Sequence, residues 1–189
     1  MYKIVQMSKS LLSSDLDQSV RDKVRTQAYE KSQTINDIKI IDLKINIEED
    51  GNFSELIRFT NGFVDGIPGY KIAQLNRTQV NPNVVKAWHF HLKQDMLWYV
   101  SFSQSLFVGL WDIRKKSSTC GVMDRVVLGA GGSQLLFIPR GIAHGSANFS
   151  QAPTDLYYFT NQKFNISNRD EKRLPWDIKG KEFWSPQRD

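Results

Sequence analysis

Histidine is scarce in this chain, and where it occurs it is crowded. Only three are present in 189 residues. Two stand in Lys86-Ala-Trp-His-Phe-His91 and the third in Pro139-Arg-Gly-Ile-Ala-His144. Imidazole has the side-chain pKa nearest neutrality, so it serves as proton donor, proton acceptor or metal ligand. Residues two apart on a strand share a face, so His89 and His91 point one way while Trp88 and Phe90 point the other. Pro139 and Gly141 form a turn that places His144 early in a following strand. Three imidazoles are therefore expected to line one pocket, for proton transfer or for metal.

Short strands must position them. From Ile40 to Ile47 apolar and polar residues alternate, and Glu48-Glu-Asp-Gly-Asn52 follows as a turn. Short apolar segments then recur between turn residues: 53–59, 70–75, 84–90, 96–102, 106–113, 125–128, 134–138, 143–149 and 156–160. No helical pattern intervenes, so the expected architecture is mostly β, an antiparallel sandwich or barrel. The 11 Phe, 6 Tyr and 5 Trp suit half-buried pleated surfaces. Before Ile38 the period is different. Leu12, Leu16, Val20, Val24 and Ala28 recur every four residues, a one-sided helical stripe that Ser14 or Asp15 would cap. The division expected is a helical extension, 1–36, and one β domain, 37–189, whose polar tail from about 161 is anchored by Leu174-Pro-Trp-Asp177 and Phe183-Trp-Ser-Pro186.

Bulk properties narrow the function classes. The net charge of +5 comes from scattered residues, which argues against a nucleic-acid surface and suits a solvated exterior or a small anionic ligand. No stretch reaches the ~18 apolar residues of a membrane span. Met1–Met7 has no signal-peptide character, and the one cysteine, Cys120, forms no intrachain disulfide. A cytoplasmic protein without membrane partners is the expectation.

Pro139, Gly141, His144 and Asn148 resemble the second motif of the cupin superfamily. His89, His91 and Asp95 resemble the first, with Asp in place of the usual Glu and its closing glycine missing. The fold implied is a cupin-type jelly-roll barrel.

A closer resemblance, over roughly Ile41 to Trp184, is to the dTDP-4-dehydrorhamnose 3,5-epimerase family of metal-independent sugar epimerases. Lys86-Ala-Trp-His-Phe-His91 is similar to that family's Arg-Gly-Leu-His-Phe-Gln, and Gln74-Leu-Asn76 to its Gln-x-Asn. Asp112-Ile-Arg and Ser117-Ser-Thr-Cys-Gly121 resemble Asp-Ile-Arg-x-x-Ser-Pro-Thr-Phe-Gly. Phe137-Ile-Pro-Arg-Gly-Ile-Ala-His-Gly145 resembles Trp-Ile-Pro-Glu-Gly-Phe-Ala-His-Gly, and Leu156-Tyr157 the Leu-Tyr that carries an acid. The resemblance implies epimerisation beside a ketone on a 4-keto-6-deoxy sugar nucleotide, dTDP-linked, by a homodimer needing no cofactor. It implies His89 as base and Tyr157 as acid. Gln74, Asn76, Lys86, His91, Lys93, Asp95 and His144 would meet substrate.

The departures are as specific. Met96 falls where the family has a lysine on the 4-keto oxygen; Lys93 is its nearest replacement. Lys86 keeps the charge of an arginine without its bidentate fork. Asp50 falls near a diphosphate-binding arginine, and Val108 at a sheet aspartate. The acid that orients the family's base lies beyond this chain's end, leaving Asp95 as the expected partner. Two other readings use the same residues. One is a metal cupin holding a divalent transition metal on His89, His91, Asp95 and His144. The other is a pocket that binds a sugar nucleotide without turning it over.

Overall fold

A strand that is apolar on alternate residues buries one face, whereas a strand apolar on both faces must be covered twice. This chain uses both kinds. The computed structural model describes residues 10–26 and 34–186. The chain divides into two compact units, Met1–Ser32 and Gln33–Asp189.

In the larger unit β1 (Lys39–Asp42) is followed by two small hairpins, β2 (Asn46–Glu48) with β3 (Gly51–Phe53) and β4 (Phe59–Thr60) with β5 (Phe63–Val64). The body is then β6 (Gln74–Val80), β7 (Val85–Phe90), β8 (Met96–Val100), β9 (Ser105–Asp112), β10 (Met123–Gly129), β11 (Gln134–Ile138), β12 (Ile142–Ala147), β13 (Thr154–Thr160) and β14 (Lys172–Arg173). They form two five-stranded antiparallel sheets, ordered β1-β11-β8-β13-β6 and β10-β9-β12-β7-β14. This is the mostly-β, cupin-type sandwich that the motifs imply.

The main core lies between the sheets. Val80, Trp98, Val100, Leu106, Leu110 and Leu136 meet there. Two further clusters cover the outer faces. Leu97 and Leu135 point away from the main core and pack under Val64, Ile67 and Tyr70. On the other sheet Trp88, Phe107, Ala143 and Ala147 pack against Trp184. The tail is anchored where expected. Trp184 is buried and donates its indole N–H to the Trp176 carbonyl at 2.8 Å. Leu174 and Trp88 exchange backbone hydrogen bonds.

The structure differs from the sequence reading at three places. The strand expected from Ile40 to Ile47 stops at Asp42, because residues from Asn46 pair with Gly51–Phe53 in a hairpin of their own and leave Ile47 exposed. Residues 34–36 belong to the body: Ile35 is 2% exposed in the main core, and Asn36 bonds Ser118 and Thr119. The N-terminal helix is minor. Residues 10–26 contain a 3-10 turn at Ser13–Asp15 and the four-residue α1 (Gln18–Arg21), capped by Asp17 rather than Ser14 or Asp15. Leu12, Val20 and Val24 are exposed and only Leu16 is half-buried, so the described part of the stripe has little burial to hold a long helix. Ala28 lies outside the described residues.

Candidate active site

Parity along the strands decides what faces the space between the sheets. Gln74, Asn76 and Thr78 of β6 face inward, as do Met96 and Trp98 of β8, Leu156, Tyr158 and Thr160 of β13, and His144 and Ser146 of β12. With His89 of β7 and the adjoining His91 they line a cavity of about 950 Å³, closed on one side by residues 162–176.

Two close approaches set the histidines. Gly141 has φ +80°, and the Arg114 side chain stands 2.6 Å from where a Cβ would lie, so the turn before β12 requires glycine. Its amide donates to the His91 carbonyl at 2.8 Å and ties the two motifs together. A Cβ on Gly145 would collide with Ala87, so β12 and β7 approach closely beside the cross-strand pair His144 and His89. Asn148 closes the second motif structurally, donating to the carbonyls of Val80 and Ala152.

The three imidazoles have different surroundings. His89 Nδ1 lies 3.0 Å from Glu171 Oε1, and Arg173 donates to that same oxygen from Nε and Nη2 at 3.0 and 2.8 Å. Burial lowers the His89 pKa, against the pull of Glu171. Burial opposes ionisation of Glu171 too, but Arg173 and His89 prevail and keep its pKa below the usual range. His91 is buried and also titrates below its ordinary range because of burial, opposed by Asp170 and Glu171. His144 is pushed down to about 3 by complete burial and by His91, so it is neutral. Its Nδ1–H donates to the Ile142 carbonyl at 3.0 Å, leaving Nε2 as the lone-pair nitrogen. Its ring is nearly parallel to those of His91 and His89, at centroid distances of 5.6 and 6.4 Å.

Gln74, Asn76, Lys86, His89, His91, Lys93 and His144 all line the cavity. Gln74 donates to Asn76 at 2.7 Å and accepts from the Phe164 amide at 2.8 Å, holding the covering segment down. Lys86 donates to Thr78 Oγ1 and to the Gln79 carbonyl. Two expected residues are placed elsewhere. Tyr157 is on the far face of β13, opposite Arg77 and Tyr99; the tyrosine in the cavity is Tyr158. Period-two alternation from the buried Leu156 was the available signal. Asp95 does not orient His89. It takes a bidentate ion pair from Arg140, with contacts of 2.9 and 2.6 Å, and accepts from the Asn161 amide, bracing the turn before β12 from outside the cavity. The carboxylates at the histidines are Asp170 and Glu171, which no motif marked. Their one sequence signal is a pair of acids in a basic stretch, just before the Leu174 anchor.

The set His89, His91, Asp95 and His144 is therefore not assembled as a ligand cluster. Among the described residues no group of three or more His, Cys, Asp or Glu is placed to hold a metal ion.

Comparison with known proteins agrees with this architecture. The spore coat polysaccharide biosynthesis protein SpsL of Bacillus subtilis is 34% identical over 143 residues, 76% of this chain and 91% of that protein. A probable low-salt glycan biosynthesis epimerase of Haloferax volcanii is 28% identical over 145 residues, covering 76% and 89%. Among solved structures, a dTDP-6-deoxy-D-glucose-3,5-epimerase of Legionella pneumophila in complex with dTDP-4-keto-L-rhamnose superposes with a TM-score of 0.65 at 26% identity, over 76% of this chain and 75% of that one. A dTDP sugar isomerase of Desulfovibrio desulfuricans gives 0.67 at 25% identity, over 77% and 88%. Residues 32–180 match the family described as dTDP-4-dehydrorhamnose 3,5-epimerase, and the chain belongs to that family.

Proposed function

We propose that the cavity epimerises a 4-keto-6-deoxy sugar carried on a nucleoside diphosphate, dTDP by family, with His89 as base and Tyr158 as acid. The observation that carries this reading is a carboxylate-backed imidazole on one sheet and a phenol on the other, facing the same cavity. The ketone acidifies the neighbouring C–H. His89 Nε2 takes that proton, and the bonding pair moves into an enolate with its charge on the ketone oxygen. Tyr158 gives its phenolic proton to the carbon from the opposite face, inverting it. After release, solvent carries the imidazolium proton back to the phenolate. The proton affinities suit both roles. His89 is neutral at pH 7, and Tyr158, raised by burial and then by Glu171, keeps its proton until the enolate takes it.

Lys86, Lys93, Lys163 and Arg173 line the cavity, a positive wall suited to a diphosphate. No lysine occupies the position of Met96, so enolate charge falls to these cations and to neutral donors such as Ser146 and Asn76. No metal or organic cofactor enters the scheme. A homodimer is proposed with it: Ile47 and Phe53 of hairpin β2–β3 are exposed apolar residues that a second copy would cover. A cytoplasmic setting fits the lone exposed Cys120.

The test is solvent deuterium incorporation beside the ketone of dTDP-4-dehydro-6-deoxyglucose, followed by NMR. Tyr158→Phe is expected to abolish inversion while His89 still exchanges label on its own face, and Tyr157→Phe to retain both. Absence of incorporation despite tight nucleotide binding would instead favour a non-catalytic pocket, the reading that Met96 supports.

A further inference from the structure

His91 stands where the family motif quoted above carries glutamine, and the fold gives it a carboxylate of its own. Asp170 accepts hydrogen bonds from the backbone amides of Leu92, Lys93 and Gln94 at 3.2, 2.9 and 2.9 Å. Burial opposes its ionisation, but the three amides prevail and hold its pKa below the usual carboxylate range. Its Oδ2 lies 3.8 Å from His91 Nδ1. That nitrogen is buried and has no hydrogen bond. A fixed negative charge on this side favours the tautomer with the proton on Nδ1, so the lone pair sits on Nε2 of a ring that lines the cavity. Glu171 does the same for His89. Two consecutive acids thus serve two imidazoles that are themselves two residues apart.

We propose that His91 is a second catalytic base of this cavity, positioned by Asp170, and that it and His89 each serve one of the two carbons that flank the ketone. The inference rests on the epimerase reading and goes beyond its single base. Both flanking carbons are acidified by the same carbonyl. At the second carbon His91 Nε2 takes the proton and the bonding pair enters the enolate; Tyr158, its proton restored through solvent, protonates that carbon from the opposite face, and the His91 imidazolium loses its proton to solvent. His91 follows the last residue of β7, and both its ring and that of His89 line the cavity beside His144. Two imidazoles on one wall of the cavity give each of the two C–H bonds a base of its own.

The test is site-resolved deuterium incorporation at C3 and C5 of dTDP-4-dehydro-6-deoxyglucose in heavy water. The parent enzyme is expected to label both carbons. His91→Gln should lose label at one carbon by about 100-fold and keep the other within about twofold, with His89→Gln giving the mirror result. Asp170→Asn should lower the His91-dependent position by about tenfold and change the C3-to-C5 ratio, which a general loss of folded protein cannot do. Both carbons labelled by His91→Gln in the parent's ratio would overturn the second base alone, as would labelling of a single carbon by the parent. A parent enzyme that labels neither carbon would remove the epimerase reading, and this inference with it.

Discussion

The cavity has two kinds of wall. One is made of strands whose register is fixed on both sides: β12 pairs with β9 and β7, and β13 with β8 and β6. The other is residues 161–176, which contain only the two-residue β14 as regular structure. That segment is held by scattered bonds, from the Phe164 amide to Gln74 Oε1, from the amides of residues 92–94 to Asp170, and between Leu174 and Trp88. The strand wall fixes where the imidazole nitrogens and the phenol lie. The irregular wall supplies the carboxylates beside His89 and His91, which oppose the lowering of proton affinity that burial imposes. Position and proton affinity are therefore separable in this molecule, and substitutions on the two walls should fail in different ways.

The largest effects belong to the strand wall. His89→Gln removes the proposed base and should lower inversion at the carbon it serves by about 100- to 10,000-fold with the fold intact, read as formation of the inverted product beside an unchanged unfolding midpoint. Tyr158→Phe should fall in the same range. Tyr157→Phe, on the far face of the same strand, should keep parental turnover; a loss there equal to that of Tyr158→Phe would break the assignment of the two faces.

The irregular wall should give a smaller and different loss. Glu171→Gln keeps a hydrogen-bond partner for His89 but removes the charge. Turnover should drop about 10- to 100-fold. The sign of the accompanying pH change follows from the cause: Glu171 raises the His89 pKa, so its removal moves the acid limb of kcat/KM to lower pH. An acid limb that moves upward would show that Glu171 does not face the base. A packing test probes the contact between the strands themselves. Gly145→Ala places a methyl against Ala87, where β12 and β7 touch, and should cost about 1–3 kcal/mol of stability in denaturant titrations.

Legibility in the sequence followed the same division. The strand wall could be read because alternation and turns are local properties, as with Gln134–Ile138, which is β11 residue for residue. The histidine motifs placed all three rings by parity and turn geometry. The Leu-Tyr resemblance points to Tyr157, and alternation alone does not say which of the two phenols enters the cavity, because β13 is apolar on both faces: Leu156 meets the main core while Phe159 packs into the outer cluster with Tyr70. Asp95 is near His91 in sequence, yet its side chain turns to Arg140. Asp170 and Glu171 reach the histidines across about 80 residues of chain, through a segment with no periodicity to read. The stripe from Leu12 to Ala28 had the right spacing for a helix, but spacing alone does not supply the burial that stabilises one.

The smallest effect expected is a pH dependence of folding that isolates His144, the strand-wall histidine with no carboxylate beside it. Its pKa of about 3 is far below the ordinary 6.5, because burial and His91 disfavour the cation. In the unfolded chain it gains a proton as pH falls through about 6.5, while in the folded chain it stays neutral. The unfolded state then binds more protons, so stability declines as pH falls from about 6.5 toward the folded value. His89 and His91 add to the decline with the same sign. The carboxylates with lowered pKa, Asp112, Asp170 and Glu171, take over only near and below their own unfolded values. His144→Asn keeps a donor toward the Ile142 carbonyl and removes the titrating ring. Between pH 6 and 5 its unfolding free energy should vary with pH less steeply than the parent's, by about 1.4 kcal/mol per pH unit, the equivalent of one proton. Equal slopes for parent and variant in urea titrations would mean that His144 takes up its proton in the folded state. A charged ring at that depth would need a partner from the irregular wall, and the separation of position from proton affinity would fail at its most buried point.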